Sequence, residues 1–274
     1  QALEIFNRKA FPEFWWIIQN NLGLAYCDRI RDVRADNIER AIHHLKQALV
    51  DRTRKAFPQD WAMIQNNLGL AYFYRIRDDC ADNIEHAIDH YKLALEVRTR
   101  EACPKEWADT QNNMAAAYEN RIRGSRADNI ERAIHHYKRA LEVRTRGAYP
   151  KDWAATRNNL GYAYAQHIRG DRADNIERAI HHYESALEVR TRIAIPEEWA
   201  RTQNNLGLAY FDRIRDDRAN NIESAIDHYE QALKVRTRQA FPEEWADTHN
   251  NLGNAFANRI RGERAENLDR AIHH

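Results

Sequence analysis

Histidines, cysteines and arginine rows are the residues of this chain with chemistry to offer, and their spacing limits what that chemistry is. Six of the thirteen histidines, His44, His90, His136, His182, His228 and His274, recur every 46 residues. A zinc site needs four donors about 2 Å from one ion, whereas equivalent points on stacked helical units lie ~10 Å apart. One histidine per unit therefore builds no shared site, and a structural or surface role is expected. Cys27, Cys80 and Cys103 fall at three different phases without Cys-x-x-Cys spacing. They read as buried filler in a reduced, cytoplasmic protein. No Gly-rich phosphate loop, His-Glu-x-x-His or nucleophile elbow occurs. The expectation is a non-enzyme with no catalytic residues, no metal and no cofactor.

Arginines form two rows. Arg31, Arg77, Arg123, Arg169, Arg215 and Arg261 keep one phase, and Arg-Thr-Arg recurs in five copies. Such rows either make a basic ridge for phosphates or cap helix C-termini and pair with acids on neighbouring helices. Lys+Arg 42 against Asp+Glu 41 leaves a formal charge of +1, which favours pairing and speaks against a nucleic-acid or membrane surface. No apolar run approaches the ~18 residues of a membrane span, and no signal-peptide pattern opens the chain.

The elements that carry these residues are set by one repeat. Asn-Asn pairs begin at Asn20, Asn66, Asn112, Asn158, Asn204 and Asn250; all six prolines (Pro12, Pro58, Pro104, Pro150, Pro196, Pro242) and six of seven tryptophans share the 46-residue step. A single solenoid over residues 1–274 is expected, with repeats starting near 12, 58, 104, 150, 196 and 242. A partial second helix over 1–8 precedes them, and the last repeat is cut in its second helix. A first helix opens at each proline and buries a stripe such as Trp61, Ile64, Leu68, Ala71 and Tyr72. It is expected to run to Arg121-Ile122-Arg123, with Gly124, Gly170 and Gly262 terminating it. A second helix opens on capping boxes Asp36/Glu39, Asp82/Glu85, Asp128/Glu131 and Asp174/Glu177. It buries Ala133, Tyr137, Ala140 and Leu141 and is closed by Arg144 and Arg146. Each helix should span roughly 18–20 residues.

Leu68-Gly69-x-x-Tyr72 followed by Ala87-x-x-x-Tyr91-x-x-Ala94 resembles the two helices of the tetratricopeptide repeat, whose usual unit is ~34 residues. The longer unit, with Arg-Thr-Arg, proline and Asn-Asn-Leu, resembles the repeats of kinesin light chains and of bacterial, often cyanobacterial, arrays beside caspase-like CHAT domains. The resemblance implies an all-α, right-handed solenoid superhelix of antiparallel hairpins. It also implies a concave groove lined by the second, fifth, ninth, twelfth and thirteenth positions of each first helix. The fifth positions are Asn20, Asn66, Asn112, Asn158, Asn204 and Asn250. A ladder of amides can donate to and accept from an extended peptide backbone. One asparagine of each pair is expected to bond between hairpins and the other to face a ligand; which does which stays open.

The remaining groove positions differ between copies. The second reads Ile17, Met63, Asp109, Ala155, Arg201, Asp247; the ninth Leu24, Leu70, Ala116, Tyr162, Leu208, Asn254; the twelfth Cys27, Phe73, Glu119, Ala165, Phe211, Ala257. Drift at unconstrained positions would not favour Phe73, Tyr74, Tyr162 and Phe211. A fixed scaffold with one variable, partly apolar stripe is the pattern of a partner-reading surface. The expected function is a protein- or peptide-binding scaffold, the interaction or sensor arm of a larger multidomain bacterial protein. The alternative is a spacer or a rod that self-associates head to tail, each end completing the other's broken hairpin.

Overall fold

The computed structural model describes residues 7–29 and 31–274. Among them are twelve α-helices and no strand: α1 (Pro12–Asp28), α2 (Arg34–Leu49), α3 (Pro58–Phe73), α4 (Cys80–Leu95), α5 (Pro104–Glu119), α6 (Arg126–Leu141), α7 (Pro150–Ala165), α8 (Arg172–Leu187), α9 (Pro196–Phe211), α10 (Arg218–Leu233), α11 (Pro242–Ala257) and α12 (Arg264–His273). The helix fragment expected over 1–8 falls outside the described residues but for Asn7 and Arg8, which are not helical. Two compact units, Gln1–Val143 and Arg144–His274, divide the chain. Each is a stack of three antiparallel hairpins, the α-solenoid architecture expected.

Proline starts every odd-numbered helix. Its ring forbids the helical region to the residue before it, so Phe57 sits at φ −138°. Phe57 still closes the first turn, because its carbonyl accepts from Trp61 N at 2.9 Å. Four of the six even-numbered helices are capped by a side chain three residues earlier than expected, and α2 and α12, which begin after Val33 and Glu263, have no side-chain cap. Asp79, Ser125, Asp171 and Asp217 are the N-caps, and their side chains accept from the backbone N–H of Asp82, Asp128, Asp174 and Asn220. Asp82, Asp128 and Asp174 therefore stand in the first turn, where they face the positive end of the helix dipole.

Most helices are 16 residues, not 18–20. The odd helices stop before the Arg-Ile-Arg segment for a tertiary reason. A buried asparagine on the following helix gathers the turn: Asn83 Nδ2 donates to the carbonyls of Arg77 (2.7 Å) and Arg75 (3.3 Å). Asn129, Asn175, Asn221 and Asn267 repeat the arrangement. The turn also needs one left-handed residue, supplied by Asp78 (φ 64°) in one copy and Gly124 (φ 81°) in the next. Glycine and aspartate share this phase because both tolerate that conformation. Gly124 thus shapes the turn rather than the helix end. Arg-Thr-Arg likewise lies in the turn after each even helix.

Within each unit an odd helix packs on its own even partner, on the even helix before it and on the next odd helix. Enclosed on three sides, it buries residues almost all round: Ile64, Leu68, Ala71 and Tyr72 in α3, for example. The even helices bury one stripe, such as Ala133, Tyr137 and Ala140, with Leu141 only half covered. The hairpins are held close because Tyr rings lie directly on glycine backbone. A Cβ on Gly207 would stand 2.6 Å from Tyr229 Cε1.

Candidate functional site

Only one stripe of each odd helix escapes that enclosure. The second position, the second asparagine of the pair, the ninth and the thirteenth follow at i, i+4, i+7 and i+11, which keeps them on one helical face. In α1 these are Ile17, Asn21, Leu24 and Asp28; all but half-buried Leu24 are exposed. The fifth and twelfth positions fall to the side, against the neighbouring hairpin.

That offset sets the two asparagines of a pair in different surroundings. In four copies the first asparagine turns into the stack: Asn20, Asn66, Asn158 and Asn204 are buried, while Asn112 is half-buried and Asn250 is exposed. In the first unit Asn67 Nδ2 donates to Asn20 Oδ1 at 2.9 Å, while Asn66 Oδ1 accepts from Thr110 (3.1 Å) and Asn113 (3.4 Å). Asn66 and Asn20 in turn donate to Asn67 and Asn21 at 3.4 and 3.5 Å. The amides make a one-directional chain from α5 to α1. The second unit repeats the bonds between helices: Asn158 Oδ1 accepts from Thr202 (3.1 Å) and Asn205 (3.4 Å), and Asn204 Oδ1 from Asn251 (3.3 Å). Mid-helix asparagine is a poor helix former, and these bonds across hairpins compensate it. The second asparagines Asn21, Asn159, Asn205 and Asn251 reach the open stripe, although Asn67 is buried.

The other expected groove residues divide in the same way. Tyr74, Tyr162 and Leu208 are 47%, 46% and 41% exposed on the stripe. Met63, Leu70, Phe73 and Phe211 are half-buried, and Arg201 is exposed and ion-paired with Glu198. Tyr162 and Leu208 meet at one cavity in the second unit; Tyr74 lies in the first, with the Arg34 guanidinium 5.7 Å from its ring centre. The twelfth position belongs to the hairpin interior where Cys27 and Glu119 occupy it. Burial pushes the Cys27 thiol up to about 11, so it stays protonated. Burial also raises the Glu119 carboxyl to about 7, against a hydrogen bond from the Tyr137 hydroxyl at 2.8 Å.

The histidine and arginine rows are consumed within the stack. His44, His90, His136, His182 and His228 stack on Tyr26, Tyr72, Tyr118, Tyr164 and Tyr210 at 5.3–5.5 Å. Their Nδ1 atoms meet Gln19, Gln65, Gln111 and Gln203 at 2.6 Å, and Arg157 in the fourth copy at 2.8 Å. Arginine can only donate, so His182 accepts there, whereas a glutamine carbonyl needs Nδ1–H. Burial lowers His90 and His136 to about 4, leaving both neutral at pH 7. Among the described residues no group of His, Cys, Asp and Glu converges to hold a metal. Arg77 and Arg215 pair with Asp36 and Asp174 of the preceding even helix. Beside them Arg75, Arg121, Arg213 and Arg259 clasp Glu39, Glu85, Glu177 and Glu223 through two nitrogens at 2.7–3.0 Å. The first arginine of Arg-Thr-Arg is buried at Arg52, Arg98, Arg144 and Arg190 and half-buried at Arg236, and Arg98, Arg144 and Arg190 donate to Thr110, Thr156 and Thr202 at 2.8–2.9 Å. The second spans to the next even helix, as in Arg100–Glu142 and Arg146–Glu188.

Two signals in the residues bear on this arrangement. The Ala-x-Asn segment opening each even helix holds asparagine at one phase in all six copies, and it reads as part of a cap until its turn contacts are seen. Ala165 likewise stands alone with Ala257 at a phase otherwise filled by Cys, Phe or Glu.

The Sel1 repeat profile matches five times, at residues 19–49, 62–96, 108–142, 154–188 and 200–234, each window covering most of one hairpin. No functionally curated protein matches the chain in sequence. Among solved structures it is similar to BtubC (BKLC) from P. vanneervenii, at 18% identity and a TM-score of 0.58 over 87% of this chain and 85% of that one. It is also similar to the C-terminal part of a TPR repeat-containing protein from Cytophaga hutchinsonii, at 14% identity and a TM-score of 0.55 over 98% and 86%. At these identities the likeness concerns the fold. No helix among the described residues is long and apolar enough to cross a membrane.

Proposed function

Since the chain belongs to the Sel1-repeat family, whose members generally act as protein-interaction scaffolds, we propose that it binds peptide segments of a partner along the open stripe of its odd helices. The observation that carries this reading is the contrast within those helices. Most positions that meet another hairpin recur from copy to copy, the twelfth excepted, whereas the second, ninth and thirteenth positions on the solvent side vary. That open side holds exposed apolar groups such as Tyr162 and Leu208 beside a row of amides. Apolar groups desolvate a partner's side chains, and the amides pair with its backbone, which gives affinity without a strict sequence.

The likeness of the 46-residue unit to kinesin light chains and to arrays beside CHAT domains supports a recognition arm of a larger protein. A random peptide library displayed on phage and panned on the chain tests the reading. Selected peptides should bind the parent and the Ile193→Glu variant alike, because Ile193 is 97% exposed in a turn away from the stripe. They should lose at least tenfold in affinity for Leu208→Glu. No selected peptide, or equal binding to Leu208→Glu, would leave the spacer reading in its place.

A further inference from the structure

In the second unit, one junction between hairpins lacks a side chain that its neighbour possesses. Where α9 packs on the α7–α8 hairpin there is a cavity of about 190 Å³. Its floor is Ala165, Ile176, Tyr183 and Ala209, and it opens beside exposed Tyr162 and Leu208. Advancing these residues by one 46-residue repeat gives the next junction, where Ala165 becomes Phe211. There the Phe211 ring packs on the cluster of Ile222, Tyr229 and Ala255, the counterparts of Ile176, Tyr183 and Ala209. In the first unit Phe73 stands at the same phase. Three of the four floor positions are chemically unchanged between the two junctions of the second unit. What the first of them lacks is a phenyl ring.

An apolar cavity of about 150 Å³ accepts benzene, so this one has room for such a ring. Two large apolar side chains at the mouth extend the dry surface outward, which is the setting in which an aromatic anchor contributes most to binding. Asn205, with its amide nitrogen on Asn158 Oδ1, and Asp212, paired with Arg172 at 3.2 Å, supply polar groups at the rim. We infer that this cavity receives the phenylalanine side chain of a bound peptide, which takes the place that the chain's own Phe211 occupies one repeat later. The inference deepens the scaffold reading and rests on it: it names an aromatic anchor residue and the junction that takes it.

The test uses the full chain, labelled at isoleucine and leucine methyls, titrated with N-acetyl-phenylalaninamide and followed by NMR. The Ile176 and Leu208 methyls should shift, and N-acetyl-alaninamide at equal concentration should leave them in place. Ala165→Phe should remove the response while keeping or raising the unfolding temperature, since the same frame accommodates Phe211. Phe211→Ala should create a second response at the Ile222 methyl, which also keeps the test open if Ala165→Phe does not fold. Absence of any shift at Ile176 and Leu208, or an undiminished shift in folded Ala165→Phe, would overturn the inference. Peptides selected on phage that bind Ala165→Phe and the parent equally would remove the pocket and leave the scaffold; a phenyl response without any selected peptide would do the reverse.

Discussion

The two junctions of the second unit, α7–α8 against α9 and α9–α10 against α11, are built on one frame and differ in its plug. The frame is shared: a tyrosine on glycine backbone (Tyr183 on Gly161, Tyr229 on Gly207), an arginine to threonine bond, and an asparagine bridging odd helices. Ala165 leaves one junction open, and Phe211 fills the other. Because the frame closes the hairpins by itself, the plug position is free to vary. In a stack of equivalent hairpins this is how a binding surface can differ from copy to copy while the scaffold stays constant.

The sharpest way to break the comparison is to damage both frames equally. Tyr183→Ala and Tyr229→Ala each remove a ring that is 1% exposed, and each should lower stability by about 3–5 kcal/mol in denaturant unfolding. Losses differing by more than about 1 kcal/mol would mean that the plug supports the frame, contrary to the comparison.

A polar plug sharpens it next. Glu119 holds the same position in α5, and burial raises its carboxyl to about 7, above the value of about 4.3 in an unfolded chain. The fold therefore holds a proton that the unfolded chain releases. The stability this contributes is present below about pH 4.3 and is lost as pH rises through 7. Glu119→Gln should be about 2–3 kcal/mol more stable than the parent at pH 8 and nearly equal to it at pH 4.5, read from thermal unfolding at the two pH values. A stability gain of the same size at both would assign the effect to packing instead of charge.

The smallest expected difference lies in the asparagine bridges. Asn158 Oδ1 accepts from two donors and Asn204 Oδ1 from one. Truncation to alanine should cost about 2 kcal/mol at the first and about 1 kcal/mol at the second, since it removes two accepted hydrogen bonds in one case and one in the other. Equal losses, or none, would return these asparagines to the ligand face.

Much of the fold is legible in the residues because its determinants act over a few positions. Proline fixes where each odd helix begins, spaced apolar residues fix which helices are amphipathic, and the 46-residue period makes each hairpin repeat the last. Those preferences reside in backbone dihedrals and side-chain direction, and they hold before any hairpin meets another. The helix ends were less legible, since Asn83 and its equivalents stop the odd helices only by reaching back across a turn.

What only the tertiary structure decided is which side of an odd helix meets its neighbour. Adjacent residues on a helix stand ~100° apart, so the two asparagines of a pair point to different surroundings. A helix enclosed on three sides has too little polar bias to show from sequence which of them is covered. Packing buried Asn20, Asn66, Asn158 and Asn204, took the arginine and histidine rows into the stack, and left an opening over Ala165 where a repeat later Phe211 closes it. Each of those outcomes depends on distances between hairpins, which the pattern within one hairpin does not contain.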